Sequence, residues 1–183
     1  MSNTDNPMKV STMAVLPILT APNPVLKSKA KRVESVDDRI RSLMNDMLET
    51  MYKAPGIGLA APQIGVLERV IVMDLGKTEE DRSPIRMVNP QIIWASEEDN
   101  TYEEGCLSVP EHYSNVVRPA EVKVRYHDET GQQKEVHAAG LLATVVQHEM
   151  DHLDGILFID HISSLKRNMI LRKLLKAKKD AEE

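Results

Sequence analysis

The pentad His148-Glu149-Met150-Asp151-His152 places two imidazoles four positions apart with a carboxylate beside the first. On a helix such a pair shares one face, so both rings can turn to a single ion while Glu149, on the adjacent edge, reaches a water bound there. This is the equipment of metal-assisted hydrolysis, with Glu149 as the proton carrier. An HExxH on a solvated helix would need no ion. Here the neighbours Val145, Val146, Met150 and Leu153 predict burial, and burying three ionisable groups without a partner is costly.

A catalytic ion takes a third protein ligand and keeps an open position. The run continues as HExxHxxG to Gly155, as in astacin-like zinc peptidases, but Phe158 stands where those enzymes place their third His, and His161 comes three residues too late. No acidic residue occupies the thermolysin-like spacing, around Arg172. The missing ligand must come from elsewhere. Cys106, the one cysteine, sits in the turn-like segment Glu104-Gly105-Cys106-Leu107-Ser108 and is the natural candidate, although a lone buried Cys is more often a small hydrophobe. His112, His127, His137 and His161 show no partnering pattern and read as surface or satisfied side chains.

Around these residues the chain has 183 positions, 42% apolar side chains and a net charge of -5, which predicts one domain over 1–183 with residues 1–8 frayed. Ser35 and Asp38 resemble a capping box, and Ile40, Leu43, Met44, Met47, Leu48 and Met51 follow at helical spacing. Strands are expected at Arg69 to Leu75, Met87 to Ala95, Val122 to Tyr126 and Glu135 to His137, separated by the turn clusters RSP, SEEDN and DETG. Leu141 to Leu153 reads as a helix apolar on most sides, stopped by Gly155. A last helix, over 163–183, has Leu165, Met169, Leu171, Leu174 and Leu175 as its apolar face. The fold class is therefore α+β, with short, mostly antiparallel sheets around the buried HExxH helix and a helix towards each end.

The acidic balance argues against DNA and broad nucleic-acid binding. Lys166, Arg167, Arg172, Lys173, Lys176, Lys178 and Lys179 are a local exception, read most simply as a solvated face. The unpaired cysteine favours a reducing, cytoplasmic compartment. The run from Lys9 to Ala21 faintly resembles a signal peptide, but Pro17 breaks it. No apolar stretch approaches the roughly 20 residues that span a bilayer.

Three separated motifs stand in order: GIGLAAPQ at Gly56 to Gln63, EGCLS at Glu104 to Ser108, and QHEMDH at Gln147 to His152. Together they resemble the peptide deformylase family. The likeness extends through Ile18 to Val33 with Pro22 and Pro24, and the basic, helical C-terminus is similar to the branch typical of Gram-negative bacteria and organelles. The resemblance implies removal of the formyl group from the N-terminal formylmethionine of new proteins. It makes Cys106, His148 and His152 the metal ligands, Glu149 the general base and acid, and Gln63 with the Leu107 N–H the oxyanion donors. Ile57, Gly58, Tyr102, Leu141, Thr144 and Val145 would line the methionine cleft, with Gly105 and Tyr113 beside the peptide and Glu104 with Arg118 bracing the site. At Tyr113 some relatives carry Arg. One divalent ion is implied, natively Fe2+, with Zn2+, Ni2+ or Co2+ as substitutes; a thiolate and two imidazoles suit all four and exclude Mg and Ca. A monomer is expected, with docking of the basic helix on the ribosome as a hypothesis. Rival readings are a zinc peptidase cutting ordinary amides, and a non-catalytic relative that binds peptide or ribosome.

Overall fold

The computed structural model describes residues 13–183. The lead-in expected at 1–8, and the first part of the apolar run from Lys9, lie outside the described residues.

The architecture is α+β. Helix α1 (Asp38–Lys53) starts at Asp37, whose carboxylate accepts the Ile40 N–H at 3.0 Å. The Ser35–Asp38 box expected from sequence is not used: Asp is as good a cap as Ser, and starting at Asp37 sets Ile40, Met44, Met47, Leu48 and Met51 on one buried stripe. Strands β1 (Gly58–Ala60), β2 (Val70–Met73) and β3 (Ile85–Ala95) join β6 (Glu121–His127) and β7 (Gln133–Ala139) in an antiparallel sheet of order β1-β2-β3-β6-β7. Between β3 and β6 the chain leaves to form a separate two-stranded ribbon of β4 (Asp99–Cys106) and β5 (Val109–Pro119).

All four residues of β2 are buried, as an apolar run with helices on both faces should be. Ile71 and Met73 pack with Val146, Met150 and Leu153 of α2 (Gly140–Leu153), while Val70 and Val72 pack with the α1 stripe. The sheet thus lies between the two helices, and the HExxH helix is held by the core. Gly155 ends it for two reasons. Its φ is +72°, which disfavours any Cβ, and a Cβ there would fall 2.5 Å from the Lys27 carbonyl oxygen.

Helix α3 (Ser164–Glu182) is capped by Ser163 as expected, but of its apolar residues only Ile170 and Leu174 are buried. They meet Val109, Val116 and Phe158; Leu165, Met169 and Leu175, expected on the inner face, are exposed. The helix docks on the 3-10 turn Phe158–His161, so its buried stripe is narrower than the sequence pattern. Among the described residues no helix is long and apolar enough to cross a membrane.

Candidate metal centre

Period 2 delivers one side of the centre and period 3.6 the other. In the ribbon, alternate residues Ser114, Val116 and Arg118 of β5 are buried, opposite a β4 that ends in Cys106. The following turn is tied down where Ser108 O accepts the Ala21 N–H at 2.8 Å. From α2, His148 and His152 present both rings to the same spot. Candidate ligand atoms of Cys106, His148 and His152 all lie within 4.8 Å of one another, and Cys106 Sγ is 3.4 Å from His152 Nε2. Zinc-like bond lengths in a tetrahedral arrangement would set sulfur and nitrogen about 3.6 Å apart, so the donor set fits an ion of that kind.

Outer partners fix the rings. His148 Nδ1 lies 2.8 Å from Glu104 Oε1, which leaves Nε2 for the centre. Arg118 in turn clasps both Glu104 oxygens, through Nε at 2.8 Å and Nη2 at 3.1 Å. Both residues are buried, so this is no surface pair. The segment read as turn-like, Glu104 to Ser108, is mostly the end of β4; only Leu107 and Ser108 form the turn.

Among the described residues, two buried side-chain atoms lack any hydrogen-bond partner: Glu149 Oε2 and His152 Nδ1. Buried polar groups are nearly always paired, so the orphaned Glu149 oxygen, on a residue that borders the cleft, marks a place that something else completes. His152 Nδ1 lies across its ring from the Nε2 that faces Cys106. Burial pushes the Glu149 carboxyl up to about 7, with the charge of His148 opposing and that of Glu104 assisting. His152 is held well below its ordinary value by burial and then by the charges of His148 and Arg118, which keeps the ring neutral with one nitrogen lone pair free for an ion. Burial also works against a proton on His148, but hydrogen bonds to Cys106 and Glu104 overcome it and hold that ring well above its usual value. Glu104 stays below the usual carboxylate range despite burial, because His148 and Arg118 donate to it. The anionic surroundings that draw a proton onto His148 also favour a cation, so proton and ion compete for one site.

The centre opens into a cleft of about 680 Å³ lined by Ile57, Gly58, Gln63, Tyr102, Glu104, Gly105, Cys106, Leu107, Tyr113, Leu141, Thr144, Val145, His148 and Glu149. Every residue expected in the cleft is there; His152 lies behind its surface, 1% exposed. Gln63 is held from both ends. Its side-chain oxygen accepts the Ala60 N–H at 2.9 Å, while its amide nitrogen donates to Ser108 Oγ at 3.1 Å and sits 3.6 Å from Cys106 Sγ. Its donors therefore face the ion-binding side. Sequence reasoning missed Ile18, Ala54, Pro55, Glu103, Val109, Pro110, Glu111 and His112, which also line the cleft. The last three belong to an irregular part of β5 where Glu111 has φ +64°, and no local pattern announces such a bulge. His161, whose partner no sequence pattern revealed, lies 2.8 Å from Asp151, and Asp151 also holds Arg118.

The sequence model of the family described as Polypeptide deformylase matches residues 15–168. A peptide deformylase of Phenylobacterium zucineum is 58% identical over 169 residues, 92% of this chain and 100% of that protein. The crystal structure of peptide deformylase from Ehrlichia chaffeensis superposes with a TM-score of 0.88 at 38% identity, covering 93% of this chain and all of that one. A second structure of an Ehrlichia chaffeensis peptide deformylase, in complex with actinonin, gives a TM-score of 0.85 at 40% identity over 90% of this chain and 98% of the other.

Proposed function

Because the chain belongs to the polypeptide deformylase family of metallohydrolases, we propose that its cleft receives the N-formylmethionyl end of a newly made protein and hydrolyses the formamide. Formate leaves and a free amine remains. The observation that carries this reading is the convergence of Cys106, His148 and His152 within 4.8 Å, beside the buried Glu149, on a cleft of about 680 Å³.

Cys106, His148 and His152 would hold the ion, which when bound supplies Lewis acidity to the reacting oxygens. The thiolate cancels one unit of the ion's charge, so water is harder to ionise than with three neutral ligands, and a carboxylate base is needed. Glu149 fills that need: buried beside the ligand His148, its carboxyl is pushed up by burial, and it can take a proton from the attacking water and return it to the departing nitrogen. As the new C–O bond forms and the C–N bond breaks, negative charge gathers on the formyl oxygen. The Gln63 amide and the Leu107 N–H donate to it, and losing one such donor typically costs about a hundred- to a thousandfold in rate. The methionine side chain sits among Ile57, Tyr102, Leu141, Thr144 and Val145, with Gly105 and Tyr113 flanking the chain that follows.

Gly58 has a steric part in this. A Cβ at that position would lie 2.5 Å from Glu149 Oε1, so Gly58→Ala displaces the carboxylate rather than the fold. The expected outcome is a melting temperature close to wild type and a turnover lower by roughly a hundredfold, the cost of about 1 Å of misplacement; unchanged formate release would show that Glu149 tolerates the shift.

The sulfur and nitrogen donor set suits Fe2+, Zn2+, Ni2+ and Co2+ alike; we infer Fe2+ as the native ion, with the others as substitutes, from the resemblance to the family. A cytoplasmic location fits a thiolate that must remain reduced; a single-domain monomer is part of the same reading. The exposed Arg172, Lys173, Lys176, Lys178 and Lys179 on α3 support docking on ribosomal RNA; equal co-sedimentation with ribosomes after truncation beyond Ser164 would sink that part. The test of the whole reading is anaerobic purification, elemental analysis, and formate release from a formyl-Met tripeptide. Cleavage of ordinary amide bonds, with the formyl group left intact, would assign the site to a peptidase instead.

A further inference from the structure

A continuous polar chain runs from the surface to one of the candidate ligands. His161 Nε2 lies 2.8 Å from Asp151 Oδ2, and the same oxygen receives Arg118 Nη1 at 2.8 Å. Arg118 clasps Glu104, and Glu104 holds His148 Nδ1. The inner members are almost fully buried, but the side chains of Asp151 and His161 are 21% and 34% exposed. A carboxylate at that depth, held by one guanidinium nitrogen, can rotate towards water, because partly exposed pairs gain little against the entropy of holding both side chains. A second donor on the same oxygen removes that freedom.

The ring that supplies the second donor is itself well anchored. His161 ends the 3-10 turn Phe158–His161, in which Asp160 accepts the Leu157 N–H at 2.9 Å and pairs with Lys27 and Arg167. In the same turn Phe158 stacks on the His148 ring, with centroids 6.3 Å apart and planes at 22°. One short turn therefore reaches His148 twice, directly through a ring face and indirectly through a chain of hydrogen bonds.

We propose that His161 is a positioning residue for His148, acting through Asp151, Arg118 and Glu104 to fix the direction of the ligand's lone pair. The role asks only for an N–H on Asp151, not for a charge, so a neutral donor can replace it. Because the inference rests on the metal-centre reading, its main readout is ion release rather than turnover. In zinc-loaded protein, His161→Ala should release zinc to a chelator about three- to tenfold faster, less than the roughly ten- to hundredfold typical of a direct partner of a ligand. Turnover of a formyl-Met tripeptide should fall in kcat with KM unchanged. His161→Gln, which keeps an N–H donor, should restore both. In an Asp151→Ala background, His161→Ala should add nothing, since residues acting in one chain are not additive. Wild-type zinc release in His161→Ala, or the same acceleration with and without Asp151, would overturn the proposal. A wild type that binds zinc but yields no formate would sink the functional reading alone and leave the zinc-release comparison intact.

Discussion

Glu149→Ala leaves the protein folded and loaded with its ion and lowers deformylation by at least about a thousandfold, within the range that positioned acid–base groups contribute. The substitution removes a proton carrier and no ligand, so elemental analysis should match wild type while formate release nearly vanishes. It also removes a buried carboxylate oxygen that has no partner and whose ionisation burial opposes. Melting temperature should consequently stay level or rise, the direction expected when a functional group is held at the expense of stability. Near-wild-type turnover would show that the proton moves by another route. Loss of the ion would make Glu149 a ligand instead.

Cys106→Ser has the opposite signature. The hydroxyl is nearly isosteric and stays neutral where a thiolate would be charged, so the ribbon should keep its fold while the centre loses its one anionic donor. Cys106 Sγ stands 3.4 Å from His152 Nε2 and 3.6 Å from the Gln63 amide, and both contacts survive only in weaker form. Ion affinity should fall by more than the roughly ten- to hundredfold that loss of an outer partner costs. Dialysed protein should carry little metal, and the remaining turnover should scale with what it carries. Full metal content after dialysis would mean that the sulfur is not a ligand.

These two residues were legible in the sequence to different degrees. The HExxH could be placed on a helix from its own spacing, and that helix could be called buried from Val145, Val146, Met150 and Leu153. Cys106 could not be tied to it by any period, since it lies on another element; the resemblance made that link. Much of the five-stranded sheet followed from β-branched runs, with β1 escaping notice inside a glycine- and proline-rich motif. The β4–β5 ribbon escaped as well. Its sequences, DNTYEEGC and VPEHYSNVVRP, are largely polar and place few side chains fully in the core, so alternation is carried by few buried residues such as Ser114, Val116 and Arg118. On α3 the reverse error arose: leucines at helical spacing suggested a wide inner face, but the helix rests on Ile170 and Leu174 and leaves Leu165 and Leu175 exposed. The link from Arg118 to Asp151 and His161 joins a strand, a helix and a turn, and such convergence has no signature along the chain.

The two walls of the cleft differ in how freely they can change over generations. Helix α2 presents Thr144, Val145, His148 and Glu149 to the cleft and packs Val146, Met150 and Leu153 against the sheet, whereas Tyr113 on the ribbon is 66% exposed and supports little else. A blocker gripping the helix wall meets residues whose replacement loosens the protein as it weakens the drug. One that leans on Tyr113 leaves an easy path to resistance.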